Sequence, residues 1–245
     1  MTLKYMVIAV IFAGGVGTRM RSKDTPKQFL VVHGEPIIVR TVRHFHEHPC
    51  IDSIVVVSVV DWLGYCRDLL ASYGMSKVTA VVPGGTTGQE SIYKGLCEAE
   101  CIADGKRAVV LVHDGVRPLI DKKTITANIK AVERTGSAVT CVPAKETVLM
   151  RDASGDVVSI PDRSVLELAR APQSFWLDEL LTAHRDAIGR GRCDYIDSAS
   201  MMFERGVHLT PVEGPDENMK VTTPDDFFLL QAILNAQENR QIYGI

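Results

Sequence analysis

The segment FAGGVGTRM, from Phe12 to Met20, sets Ala13, Gly14, Gly15 and Gly17 directly after an apolar run and just before a cation, Arg19; a second cation, Lys27, follows in PKQFL. Residues without a bulky side chain let backbone amides approach a polyanion, and Arg19 and Lys27 supply the compensating charge that a nucleoside triphosphate needs. Without the two cations, the glycines would read equally well as a tight turn. The loop matches neither of the two commonest phosphate cradles. A dinucleotide fingerprint needs a third glycine where Met20 stands, and a Walker loop needs a lysine directly after Gly17. A dehydrogenase built on NAD fails on the first of these requirements.

Three further segments carry polar residues of chemical use. PGGTTGQES, Pro83 to Ser91, is a second glycine loop containing Gly85 and Thr86, and Ser91 stands where the N-cap of the next helix is expected. HDGVRP follows an apolar strand and offers Asp114 and Arg117; Asp114 suits Mg²⁺, which takes one or two carboxylates and fills its other positions with water and phosphate oxygens. A helix cap or an ion pair with Arg117 is the alternative for that aspartate. Lys220 lies in NMKVTTPDD, where Pro224, Asp225 and Asp226 announce a terminal helix. No G-x-S-x-G, no locally supported Cys and His pair and no deaminase zinc motif is present. A reaction whose nucleophile is an already ionised phosphate oxygen needs none of these; it needs positioning and positive charge.

The elements that must hold these loops alternate along the chain. Strands are expected at Val7 to Phe12, Ser53 to Val60, Val78 to Val82, Ala108 to Val112 and Ala138 to Val142, with helices at Pro36 to His48, Trp62 to Tyr73, Ile92 to Ala103 and Lys122 to Thr135. Such alternation predicts an α/β protein, a Rossmann-like, mainly parallel sheet with helices on both faces, and ligands then bind beyond the carboxyl ends of the strands. One pocket collecting all three loops is the economical expectation. The alternation lapses at residues 144–163, where a polar turn between two β-rich runs predicts a hairpin arm too polar for a core, suited to pairing with a second copy of the chain. Helices at Trp176 to Ile188 and Ser198 to Arg205 and a strand at Val207 to Val212 complete the reading. Residues 1–245 show no internal repeat or linker and read as one domain.

Composition restricts the function classes. With 245 residues, 46% of them hydrophobic, a sizeable core is expected, and a net charge of -3 without a long basic run argues against nucleic-acid binding by bulk electrostatics. The apolar N-terminal stretch is far shorter than the roughly 20 residues of a membrane span, and cleavage after Ala13 would sever the loop from its strand, so a cytoplasmic protein is expected. The six cysteines form no C-x-x-C pair and read as free thiols. His44, His46 and His48 alternate in a helix and so do not share one face for a metal.

Taken in order, FAGGVGTRM, PKQFL, VPGG with its later serine, VHDGVRP, PDR, APQSF and NMKVTTPDD resemble the cytidylyltransferases that make CDP-activated polyols from CTP. The resemblance spans nearly the whole chain and, in FAGG, GTRM and PKQFL, looks more like the branch acting on ribitol 5-phosphate than the branch acting on 2-C-methyl-D-erythritol 4-phosphate. It implies a nucleotidyltransferase fold in which Ala13, Gly14, Gly15 and Gly17 wrap the CTP phosphates, Arg19 and Lys27 bear the charge growing on them, and Gly85, Thr86 and Ser91 read cytosine. It further implies Asp114 as the magnesium carboxylate, Arg117 and Lys220 near the polyol phosphate and reaction centre, and a homodimer in which Thr147 and Arg163 reach the neighbour's substrate. Gly88, where the family often has arginine, and Ala171, where threonine is common, depart from the pattern. A catalytically silent nucleotide-binding module on the same fold is the competing reading.

Overall fold

The computed structural model describes residues 5–14 and 25–244. Gly15, Gly17 and Arg19 lie outside the described residues. The strands are β1 (Met6–Ala13), β2 (Val31–Val32), β3 (Glu35–Pro36), β4 (Ser53–Ser58), β5 (Val78–Pro83), β6 (Ala108–Asp114), β7 (Ser137–Pro143), β8 (Met150–Arg151), β9 (Val157–Ser159), β10 (Glu167–Trp176) and β11 (Pro211–Glu213). The α-helices are α1 (Ile37–His46), α2 (Leu63–Ser72), α3 (Gly88–Ala103), α4 (Lys122–Thr135), α5 (Leu177–Gly189), α6 (Ser198–Glu204) and α7 (Pro224–Tyr243).

Seven strands form one sheet in the order β11-β7-β10-β6-β1-β4-β5, parallel throughout except for β10. The reason for its central strand is visible in MVIAVIFA: alternate side chains point to opposite faces, so Val7, Ala9 and Ile11 enter one core and Ile8 and Val10 the other. α1, α2 and α4 cover the first face with Phe45, Leu70 and Val132, and α3, α5 and α6 cover the second with Leu96, Leu180 and Met201. α3 lies unusually close to the sheet. A Cβ on Gly95 would stand 2.5 Å from Val10 Cγ1 and 2.8 Å from Val57 Cγ2, so an alanine there would overpack the contact at a cost of about 1–3 kcal/mol.

The structure corrects the sequence reading at three places. No strand was expected between Arg163 and Trp176, yet β10 runs antiparallel between β6 and β7 near the middle of the sheet. α3 begins at Gly88, not after Ser91: the Thr87 side chain accepts from Glu90 N and is the N-cap. The late strand is Pro211–Glu213, with Val207 and Leu209 packing as partly buried loop residues. Within the arm only β8 and β9 pair, and the arm is closed at its base by Ala144 N donating to Leu166 O at 3.0 Å. The terminal helix starts where Pro224 predicted it, on a capping box between Thr223 and Asp226.

Candidate active site

The glycine loops meet because β1, β4 and β5 are adjacent and parallel. A Cβ on Gly14 would lie 3.0 Å from Ser91 Oγ and 3.6 Å from Gly84 Cα, so the first and second loops touch through residues that leave room for each other. The third joins them through pairing of Phe12 with Asp114 and Gly115 N donating to Phe12 O at 2.9 Å. Lys27 arrives on a single 3₁₀ turn, Lys27–Phe29, and is buried. Its neighbours anchor it: Gln28 Nε2 donates to Ala13 O at 2.7 Å, and Phe29 stacks on Trp62 at 5.2 Å between ring centroids.

Asp114 ends β6 and is buried between two cations. Arg117 Nε donates to its Oδ2 at 2.7 Å, and Lys220 Nζ stands 2.6 Å from Oδ1 without the alignment of a hydrogen bond. Burial would raise this carboxyl, but the Lys220 ammonium and then the Arg117 guanidinium outweigh burial and hold it down at about 2. The ion pair with Arg117, the structural alternative for Asp114, is therefore present. Arg117 is fixed in turn by donating from Nη1 to Asn218 O at 2.9 Å, two residues before Lys220. His113 donates from Nε2 to Arg117 O at 3.2 Å, and burial keeps its imidazole neutral, its pKa pulled down to about 3.

The second loop is held by its own helix. Glu90 accepts from Thr86 N at 2.7 Å and from Thr86 Oγ1 at 2.8 Å, and these bonds, with Lys94, bring its carboxyl to about 2. Ser91 Oγ accepts from Gly85 N at 3.0 Å and donates to Thr87 O at 2.9 Å, while Lys94 Nζ donates to Gly84 O at 3.0 Å. Gly85 is obligatory in this arrangement. A Cβ there would fall 2.3 Å from Glu90 Cδ and 2.5 Å from Glu90 Cβ.

Beyond Asp114 opens a cavity of about 280 Å³, lined among others by Arg117, Lys220, Arg170, Ala171, Gln173, Ile196, Asp197 and Ser198. Gly88 lies at its edge, and a Cβ there would meet nothing within 4 Å. Thus Ala13, Gly14, Lys27, Gly85, Thr86, Ser91, Asp114, Arg117 and Lys220 gather at one end of the sheet. Thr147 and Arg163 do not join them: both are exposed on the arm, where Arg163 Nη1 donates to Lys145 O at 2.7 Å. Sequence reasoning missed Glu90, Arg170, Gln173 and Ser198. Thr87-x-x-Glu90 did carry the spacing of a capping box, and Arg170 stood out as a charge within a stretch now seen to be a strand. His44 and His46 of α1, and His48 just beyond its end, serve separate bonds: His44 Nε2 with Pro118 O, His46 Nδ1 with Lys77 N and His48 Nε2 with Thr126 Oγ1.

Residues 7–236 match the protein family IspD, described as 2-C-methyl-D-erythritol 4-phosphate cytidylyltransferase. The chain is 54% identical over 240 residues to a ribitol-5-phosphate cytidylyltransferase of Streptococcus agalactiae serotype III, covering 98% of this chain and all of that one. It is 48% identical over 239 residues to a protein of the same name from Vibrio parahaemolyticus, again covering 98% and 100%. Among solved structures, 4-diphosphocytidyl-2C-methyl-D-erythritol synthase from Anaerococcus prevotii superposes with a TM-score of 0.82 at 25% identity, over 94% of this chain and 96% of that one.

Proposed function

The chain belongs to the 2-C-methyl-D-erythritol 4-phosphate cytidylyltransferase family, and from that membership we propose that it transfers CMP from CTP to D-ribitol 5-phosphate, releasing pyrophosphate and forming CDP-ribitol. The observation that carries the reaction type is the cluster of Asp114, Arg117 and Lys220 at the strand end beside Gly14 and Gly84. The acceptor follows the two full-length relatives named for ribitol 5-phosphate. A phosphate oxygen of the acceptor attacks the α-phosphorus of CTP in line, the bond to the bridging oxygen breaks, and pyrophosphate departs with the electron pair. The nucleophile is already ionised, so no side chain takes a proton. Lys27, Lys220 and Arg117, with Arg19 from outside the described residues, offset charge on the phosphates, and rigid donors of this kind are worth about 10²–10³ in rate each.

Asp114 fits a single Mg²⁺. Its carboxylate stays ionised, with Oδ1 held 2.6 Å from Lys220 Nζ, while no cluster of three His, Cys, Asp or Glu exists among the described residues, so water and phosphate oxygens would complete the shell. When bound, the ion would neutralise charge on the transferring and leaving phosphates. The exposed arm residues Met150, Val158, Ile160 and Val165 support a homodimer in which Thr147 and Arg163 complete the partner's site. No helix among the described residues is long and apolar enough to cross a membrane, and a cytoplasmic setting agrees with nucleotide substrates.

Pyrophosphate release from CTP, measured against ribitol 5-phosphate and 2-C-methyl-D-erythritol 4-phosphate, tests the reading; ribitol 5-phosphate should give the higher kcat/KM. Preference for the erythritol compound would reassign the acceptor, and equal turnover of ATP and CTP would overturn the reading of cytosine by Gly85, Thr86 and Ser91. The dimer has its own test. Lys27→Ala and Arg163→Ala chains, each inactive alone, should regain roughly a quarter of wild-type activity when refolded as an equal mixture, because about half the dimers are mixed and each has one intact site. Mixed dimers without recovery would place Arg163 in its own subunit's site.

A further inference from the structure

Two polar groups of residues lining the cavity have no hydrogen-bond partner among the described residues. Ser198 is only 2% exposed, yet its Oγ makes no hydrogen bond, and the buried Nε of Arg170 likewise has no acceptor. Both residues line the cavity that begins at Asp114. A buried unpaired polar group costs roughly 1–3 kcal/mol, so two beside one cavity call for a ligand that pairs with them. Arg170 is also without a carboxylate in ion-pairing range among the described residues, and burial and then the neighbouring Arg117 lower its pKa.

Their placement is built rather than accidental. Arg170 sits in an irregularity of β10, between Ala169 and Gln173, where pairing with β7 is interrupted. Such bulges re-aim side chains beside active sites. The bulge is itself pinned: Thr140 Oγ1 donates to Pro172 O at 2.7 Å and Asn218 Nδ2 donates to Ala171 O at 2.7 Å. Ser198 is set by the next residue back, since Gln173 donates from Nε2 to Asp197 Oδ2 at 2.8 Å and accepts from Ala199 N at 2.8 Å through Oε1. The neighbouring Gln173 amide and Asp197 carboxylate are engaged with each other and with the backbone, whereas Ser198 Oγ and Arg170 Nε are not. Apolar Ala171 and Ile196 and polar Gln173 and Asp197 line the same cavity. Polar groups set among apolar ones suit a chain of carbons bearing hydroxyls.

We propose that Arg170 Nε and Ser198 Oγ are specificity-determining groups that hydrogen-bond hydroxyls of the acceptor's polyol chain, with no part in CTP binding. This rests on the polyol-phosphate reading above. Steady-state kinetics with ribitol 5-phosphate test it. Ser198→Ala should raise the KM for ribitol 5-phosphate about 3- to 10-fold and Arg170→Met about 10-fold or more, while kcat and the KM for CTP hold. The melting temperature of free Ser198→Ala should not fall, because the hydroxyl it loses bonds nothing in the protein; a lower melting temperature with an unchanged acceptor KM would make Ser198 structural. An active wild type whose two variants keep the wild-type acceptor KM overturns this proposal alone. A wild type that releases no pyrophosphate with any polyol phosphate overturns the acceptor reading itself, and this proposal with it.

Discussion

The loop from Pro83 to Lys94 and the wall from Ala169 to Ser198 flank the same strand ends, and they treat their polar groups in opposite ways. In the loop, Glu90, Ser91 and Lys94 engage the Gly84 carbonyl, the Gly85 and Thr86 amides and the Thr86 hydroxyl. Along the wall, Ser198 Oγ and Arg170 Nε remain unpaired. The first region has its shape before any ligand arrives, as a preorganised binding loop does. The second keeps unmatched groups whose desolvation is offset only when a ligand supplies the missing bonds, as discrimination by hydroxyl count requires.

The contrast can be broken at Asp114, which lines one cavity with Gly88 of the loop and with the wall residues. Asp114→Asn keeps the shape but removes the charge that gathers Arg117 and Lys220, so kcat should fall about 10²–10³-fold in magnesium while far-UV circular dichroism stays that of the wild type. Undiminished turnover would make Asp114 only the structural partner of Arg117. A smaller change sharpens the comparison from the loop side. Glu90→Ala frees the Thr86 amide and hydroxyl, and the KM for CTP should rise about 3- to 10-fold with the KM for the acceptor unmoved, the mirror image of the wall variants. Parallel rises in both constants would show that loop and wall act as one unit.

The smallest effect serves as the control, a buried unpartnered group away from this cavity. Neither ring nitrogen of His184 has a hydrogen-bond partner among the described residues, and burial pulls its pKa down to about 4. Because that lies below the unfolded value of about 6.5, the unfolded chain takes up the proton first. The neutral ring's contribution to stability is then complete above pH ~6.5 and is lost as the pH falls toward 4. His184→Leu should remove about 2 kcal/mol of the stability lost between pH 7 and pH 5, read by denaturant titration, without altering either KM. Identical pH slopes for the two proteins would show that His184 protonates as freely as in the unfolded chain.

The strands buried on both faces were legible because runs such as VIAVIF and IVVVSV admit few other readings. β10 was not. Its first half is exposed and carries Glu167 and Arg170, and Pro172 interrupts its pattern; the neighbours that make it a strand, β6 and β7, are supplied by the fold. The site divides in the same way. Asp114, Arg117 and Lys220 could be found from residue type after a strand or in a motif, since charge is a property of the residue. That Ser198 lacks a partner is a property of its surroundings, and no spacing in DYIDSAS records it. Ser91 was misplaced as the cap because Thr87, three residues before a glutamate, competes for the same helix start and wins.

The antiparallel strand also dictates an order of assembly. β1, β4, β5 and β6 pair only among themselves until residue 167, so the nucleotide side of the sheet can form while the chain is still being made. β7 cannot share in this, because both of its strand neighbours, β10 and β11, come after it. Six of its seven residues are buried in the finished protein, so a nascent chain of 166 residues carries an apolar strand with two open edges, a surface prone to pairing with other chains. The ten residues that follow close one of those edges, cover the free side of β6 and, at Arg170, deliver the acceptor wall in the same stroke.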